Sequence, residues 1–212
     1  IKVAWDEWNM FGWNFSTVNQ DETYSLHDAI ITALILNWLV RNCDTVKMAM
    51  YSTFVNITGA LHVTKEGCLK RTPYYVFQML ANHTGSQLVR ADVDCDSRTT
   101  VHDVRRLPFD KKNHVVTDKV IDQDIPAIDA AATAGDGAVY LSVVNQSLTE
   151  DCLLTLDIPG LSGKAVEKLE LYSDSIRDAN TADQPERVTP ASSILDGGQP
   201  VPIRKHSVNV IV

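Results

Sequence analysis

The run from Lys2 to Tyr51 constrains the fold of this chain more than any other stretch. Lys2–Trp5 (KVAW) reads as a short apolar strand. Ser25-Leu26-His27-Asp28 then fits a capping box, with Ser25 as N-cap and Asp28 at N3. Ala29–Arg41 is apolar on nearly every face, through Ile30, Ala33, Leu34, Leu36 and Trp38, as in a largely buried helix. Asn42 and Asp44 stop it, and Thr45–Tyr51 (TVKMAMY) is the next strand. Strand, helix, strand in this order is a βαβ unit, which implies parallel pairing and a right-handed crossover.

Around this unit the punctuation is clear. Residues 9–24 open as a polar and aromatic loop, Asn9-Met10-Phe11-Gly12-Trp13-Asn14-Phe15, of the kind that forms a binding rim. Ser52–Asn56 continues into a loop that reaches Gly59. Thr72 offers an N-cap and Pro73 the N1 position for a helix over Tyr74–Asn82, with Val76, Phe77, Met79 and Leu80 inside and Gly85 as its C′ stop. After Gly85 the pattern changes to short runs of rough period two: Val89–Val93, Ala138–Val144, Leu153–Ile158, Ala165–Tyr172 and Ser207–Val212. Asp136-Gly137, Pro159-Gly160, Ser162-Gly163 and Gly197-Gly198 separate them. Such spacing predicts an antiparallel β-sandwich. Thr99–Asp124 reads as a long charged connection with a strand or two. The domain boundary is placed near Gly85, dividing residues 1–85 from 86–212.

Composition narrows the function. The 212 residues carry a net charge of −8, so there is no basic surplus to neutralise phosphates. Neither nucleic acid nor an anionic membrane is the expected partner; a neutral sugar suits the balance. The longest apolar run, Ala29–Val40, is broken by Thr32 and Asn37 and is too short to span a bilayer. Cys43, Cys68, Cys95 and Cys152 lack CxxC spacing, which disfavours structural zinc, and they read as free thiols. The four sequons at Asn14, Asn56, Asn82 and Asn145 read as chance matches. The chain lacks an initiator Met and opens inside an apparent core strand, so it reads as a piece of something longer; a cytoplasmic location is the expectation.

The chemistry centres on Val3-Ala4-Trp5-Asp6-Glu7-Trp8-Asn9. A glutamate at the C-terminal end of a parallel strand, among aromatics, is where an α/β barrel places catalytic groups. Carboxylates suit glycoside cleavage, as nucleophile or acid, and a retaining enzyme needs two of them. Tryptophan faces suit the C–H side of a sugar ring. By itself the motif is weak evidence and reads more readily as a solvated carboxylate at a strand end.

In order along the chain, Asp6-Glu7-Trp8-Asn9, the helix that begins Leu26-His27-Asp28-Ala29, Val46-Lys47-Met48-Ala49 and Phe54-Val55-Asn56 resemble the end of the catalytic domain of glycoside hydrolase family 51. Thr72-Pro73-Tyr74-Tyr75-Val76-Phe77, Asn82-His83-Thr84-Gly85 and the tail Asn180-Thr181 … Pro185-Glu186-Arg187-Val188-Thr189-Pro190 are similar to it as well. The members are retaining α-L-arabinofuranosidases. The resemblance implies the last two βα units of a (β/α)8 barrel followed by a jelly-roll-like β-sandwich, an α/β plus all-β chain. It implies that Glu7 is the nucleophile and that Trp8 and Asn9 shape the sugar site. Phe11 stands where many members have a tryptophan that lines the pocket, and Thr53 where many carry a glutamine that binds the arabinose.

The family's acid/base glutamate lies in an Asn-Glu motif upstream, and none stands ahead of Glu7 here. The chain is therefore expected to carry one catalytic carboxylate of two, and to be inactive alone. The parent enzyme is expected to release terminal α-L-arabinofuranose from arabinoxylan, arabinan or their oligosaccharides, without metal or cofactor, and a homo-oligomer is compatible with the resemblance. Two other readings stay open: a non-catalytic sandwich module, and a related β-xylosidase or endoglucanase specificity, which the Thr53 departure keeps in view. His27 reads as a helix-surface residue, and His62 and His83 as structural. Arg105-Arg106 and Lys111-Lys112 read as solvated loop charges, and Trp38 as core. Asp92, Asp94 and Asp96 alternate as in a calcium site but lack an EF-hand pattern.

Overall fold

The structure, a computed structural model, describes residues 1–10, 24–95, 97–106 and 119–212. Strand β1 (Val3–Trp8), helix α1 (Leu26–Arg41) and strand β2 (Val46–Tyr51) form the expected unit, and β1 pairs with β2 in parallel. β1 runs further than the apolar residues alone implied, so Glu7 lies inside it, one residue from its end. The start of α1 follows the capping pattern: the Asp28 carboxylate accepts from the Ser25 N–H at 2.8 Å and from its hydroxyl at 3.0 Å. A short antiparallel hairpin, β3 (Leu61–Val63) and β4 (Cys68–Lys70), leads to α2 (Thr72–Asn82).

Three local expectations are corrected. Arg71, not Thr72, is the N-cap of α2. Thr72 sits one residue inside and uses its hydroxyl across the fold, donating to the Ser25 carbonyl at 2.5 Å. Gly85 is not a helix stop. A Cβ there would stand 2.1 Å from the Ala134 carbonyl carbon, so glycine is required by the close approach of two backbones. Trp38 is exposed, because α1 turns only part of its apolar surface inward, through Leu26, Ala29, Ile30 and Ala33.

The rest of the chain supplies β5 (Gln87–Val89), β6 (Arg98–Arg106), β7 (Lys119–Pro126), β8 (Ile128–Gly135), β9 (Ala138–Asn145), β10 (Cys152–Leu154), β11 (Ala165–Leu171), β12 (Pro190–Asp196), β13 (Val201–Ile203) and β14 (Ser207–Ile211). Six of them form one antiparallel sheet in the order β12-β11-β14-β9-β8-β5. β10 pairs with β13, and β6 with β7, as separate two-stranded layers. Asp136 and Gly137 both take positive φ (53° and 78°), the requirement of the two-residue type I′ turn that joins β8 to β9. The run expected over Val89–Val93 is displaced to β5, and the run over Leu153–Ile158 contracts to β10.

Both faces of the six-stranded sheet are covered. On one, Leu26, Ala29, Ile30 and Ala33 of α1 and Tyr75, Val76 and Met79 of α2 pack against Val144, Leu171, Val208 and Val210. On the other, Val143, Val166 and Ile211 meet Val201 and Ile203 of β13. The helices of the N-terminal unit therefore share a core with the sandwich sheet. Polar contacts reinforce the join. The Leu26 and His27 N–H groups, unpaired within α1, donate to the Asp178 and Ile176 carbonyls at 2.8 and 3.0 Å. At the far end, Arg41 pairs with Asp129 of β8 at 2.8 Å, and Asn37 donates to the same carboxylate.

Candidate functional site

Glu7 and Trp8 are neighbours at the end of β1, where the pairing register with β2 shifts between Trp5 and Trp8, and they differ sharply in burial. Trp8 points into an aromatic cluster, edge-on to Tyr51 at 5.1 Å and tilted against Phe77 at 6.0 Å. Phe54 packs on Phe77 at 5.4 Å and extends the cluster beyond β2. Burial pushes the Tyr51 phenol far above its ordinary pKa, so it stays neutral at any physiological pH. This cluster anchors the ends of β1 and β2 to α2. Glu7 is exposed to solvent. Val3, Trp5, Met48 and Met50 of the two strands are also exposed.

The backbone beside Glu7 is held in several places. The Ser52 N–H donates to the Trp8 carbonyl at 3.0 Å. The Asn9 amide donates to the Ser52 carbonyl at 2.9 Å and to the Thr58 carbonyl at 2.8 Å. Its oxygen accepts from the Met10 N–H at 2.6 Å. Asn9 thus spends its hydrogen-bonding capacity on the scaffold. Beyond β2, Arg71 is buried and donates to the Ile57 and Gly59 carbonyls at 2.8 and 2.9 Å, which holds the turn from the inner side. Gly59 is required there, since a Cβ would stand 2.7 Å from the Phe54 carbonyl. The Ser52 hydroxyl donates to Glu7 Oε1 at 3.3 Å.

These placements revise the sequence reading residue by residue. Trp8 is only 3% exposed and offers no face to a sugar; its role is to seat β1. Asn9 positions the strand ends instead of presenting its amide outward. Thr53 follows β2 next to Ser52 and is exposed, but its hydroxyl donates to the Asn56 carbonyl at 3.1 Å. Phe11 and the remaining rim residues 12–23 lie outside the described residues. Ser52 was missed, because a lone serine after a strand carries no signal until the fold brings it to Glu7.

The other candidates resolve into structure. His27 is exposed at the start of α1. His83 Nδ1 contacts the Met79 carbonyl at 2.7 Å, and His62 Nδ1 lies 3.3 Å from Arg71. Arg105 and Arg106 belong to strand β6, not to a loop, while Lys111 and Lys112 lie outside the described residues. Asp92 pairs with Arg90 on the surface; Asp96 is not among the described residues. The four cysteines are free thiols. Among the described residues, no helix is long and apolar enough to cross a membrane.

Comparison with known proteins places this arrangement. Residues 6–207 match the profile of the alpha-L-arabinofuranosidase C-terminal domain. The chain belongs to that family. A relative in Aspergillus clavatus, named "Probable alpha-L-arabinofuranosidase C", is 27% identical over 217 residues, which is 99% of this chain and 39% of the relative. The intracellular exo-alpha-(1->5)-L-arabinofuranosidase of Bifidobacterium longum is 28% identical over 180 residues, covering 80% of this chain and 28% of that protein. Among solved structures, the alpha-L-arabinofuranosidase of Thermotoga maritima, in its arabinose complex, matches with a TM-score of 0.82 and 25% identity. That match covers 99% of this chain and 42% of the solved one. The family 51 enzyme of Thermotoga petrophila gives the same TM-score at 26% identity. The chain thus spans about two-fifths of the length of such relatives (39% of the first). Its sandwich is that of the family 51 C-terminal portion.

Proposed function

We propose that the protein containing this chain is a retaining exo-acting α-L-arabinofuranosidase in which Glu7 is the nucleophile. The observation that carries the reading is the position of Glu7. It is an exposed carboxylate one residue from the end of a parallel strand, within the family-matched residues. The names of the relatives supply the substrate class, an arabinofuranoside.

In the proposed reaction a Glu7 oxygen attacks the anomeric carbon of a terminal arabinofuranose. The bond from that carbon to the leaving oxygen breaks, and the leaving oxygen takes a proton from a second carboxylic acid. Water then attacks the same carbon from the opposite side and gives its proton to that second carboxylate. Glu7 is released, and the configuration is retained. The second carboxyl group, at roughly 5–5.5 Å from Glu7 in a retaining geometry, is assigned to the remainder of the protein. The remaining barrel strands are assigned there too, since two strands cannot close a barrel. The exposed Val3, Trp5, Met48 and Met50 support this, as a barrel wall would cover them. The chain by itself is accordingly proposed to be inactive. Arabinoxylan, arabinan and their oligosaccharides are the proposed substrates. The hydroxyl of Thr53, turned to its own loop, keeps a β-xylosidase or endoglucanase specificity as a second reading.

The test is hydrolysis of aryl glycosides by the full-length protein. Turnover of the α-L-arabinofuranoside, lost by more than about a thousandfold in Glu7→Ala, is expected. Wild-type hydrolysis by Glu7→Ala would refute the nucleophile, and preference for an aryl xyloside would transfer the assignment to the second reading.

A further inference from the structure

We infer that Ser52 is a positioning residue for the Glu7 carboxylate, fixing which oxygen faces the substrate; the inference rests on the reading of Glu7 as nucleophile. Its hydroxyl is the donor that meets Glu7 Oε1, at 3.3 Å. The chain around it leaves that hydroxyl little freedom. The Ser52 N–H is tied to the Trp8 carbonyl, one residue after Glu7, and the Ser52 carbonyl is tied to the Asn9 amide, two residues after it. Trp8 is fixed in turn by Tyr51 and Phe77, and Asn9 by Thr58 and Met10. Ser52 and Glu7 are therefore parts of one clamp between the ends of β1 and β2.

The chemistry gives that clamp a purpose. A carboxylate on an exposed strand end can rotate about its last side-chain torsion, and each orientation offers a different lone pair. A hydroxyl donated to Oε1 leaves Oε2 as the free nucleophilic atom. It also satisfies one oxygen of the ion without placing a positive charge beside the attacking one. Orientation of a nucleophile matters at the level of an ångström, so its loss is felt in reaction more than in ground-state binding. The bond forms no part of either core, and removing the hydroxyl leaves both packed faces of the sheet untouched.

The test uses the full-length protein, an arabinofuranose-configured epoxide as the covalent probe, and free arabinose as the reversible one. Mass spectrometry of the labelled wild type identifies the attacked residue. In Ser52→Ala, the rate of labelling at Glu7 is expected to fall about tenfold, while arabinose affinity stays within about twofold. Ser52→Thr, which keeps the hydroxyl, is expected to recover most of the rate. Ser52→Cys, close in size but a weak donor, should behave like Ser52→Ala and serves in its place if the alanine variant does not fold. Labelling of Ser52→Ala or Ser52→Cys at the wild-type rate, or an equal loss in Ser52→Thr, overturns the inference while Glu7 stands. Wild-type labelling on a residue other than Glu7 overturns the nucleophile itself, and the inference with it.

Discussion

The six-stranded sheet and the β1–β2 pair are built from the same kind of residue and end in opposite states. The sheet is covered on both faces, by α1 and α2 on one side and by the β13 layer on the other. The pair is covered only at its C-terminal ends, where Trp8 and Tyr51 meet Phe77, while Val3, Trp5, Met48 and Met50 stay in contact with water. Stability is thus concentrated in the sheet and its helices, and the carboxylate proposed as nucleophile stands on the pair. The helices connect the two, because α1 follows β1 and precedes β2 yet packs on the sheet. A site held this way takes its rigidity from a core it does not belong to.

The largest expected break in that contrast comes from the shared core. Leu26→Ala, at a fully buried position, is expected to cost about 3 kcal/mol of unfolding free energy. Met48→Ala, on the exposed face of β2, is expected to cost under about 0.5 kcal/mol in the isolated chain. Chemical denaturation of both variants measures the difference, and equal costs would erase the distinction between the regions.

A smaller effect is expected at Asn180. Its buried amide donates to the Lys70 carbonyl at 2.9 Å and to the Val188 carbonyl at 3.0 Å, and its oxygen accepts from the Val188 N–H at 2.8 Å. It thereby binds the entry to α2 to the loop before β12. Asn180→Ala should lower stability by about 2 kcal/mol, since the buried N–H and carbonyl of Val188 and the part-buried Lys70 carbonyl lose their partner. Proteolysis should then open the chain first near β4 and residues 180–188.

The smallest effect is electrostatic. The Ser173 hydroxyl and, after it, the Arg187 guanidinium hold the Asp178 carboxyl below the usual carboxylate range, against the opposing effect of partial burial. A folded pKa below the unfolded one gives stability that is present above about pH 4 and is lost as the pH falls through the folded value. Asp178→Asn should therefore unfold more readily than wild type at pH 6, and the gap should narrow towards pH 2. Thermal melts across that range measure it. The Asp178 carbonyl also receives the Leu26 N–H, so the effect is transmitted to the start of α1.

Local chemistry made part of this molecule legible in the sequence. Ser25 and Asp28 announced the start of α1, Asp136-Gly137 announced a turn, and the Glu7 motif marked a strand end. What escaped was decided by contacts between distant residues. β8 is rich in alanine, a poor strand former by itself, and becomes a strand because β5 and β9 pair with it. Its alanines also let α1 lie close, with Asp129 and Ala131 on the face towards the helix. Trp38 read as core because α1 is apolar all round, and periodicity could not say which side would find the sheet. Gly85 looked like a helix stop until the Ala134 backbone was seen beside it. At the site, the sequence motif offers Glu7 as the candidate carboxylate, whereas the Ser52 clamp depends on the pairing of β1 with β2.

The most direct test of the central claim is external rescue of the full-length Glu7→Ala variant by azide, with an activated aryl α-L-arabinofuranoside as substrate. With Glu7 as nucleophile, azide enters from the vacated side. It should restore release of the aryl alcohol and yield the inverted β-L-arabinofuranosyl azide. A product of retained configuration would assign Glu7 the acid/base role instead, and unimpaired hydrolysis without azide would show that the nucleophile is another residue.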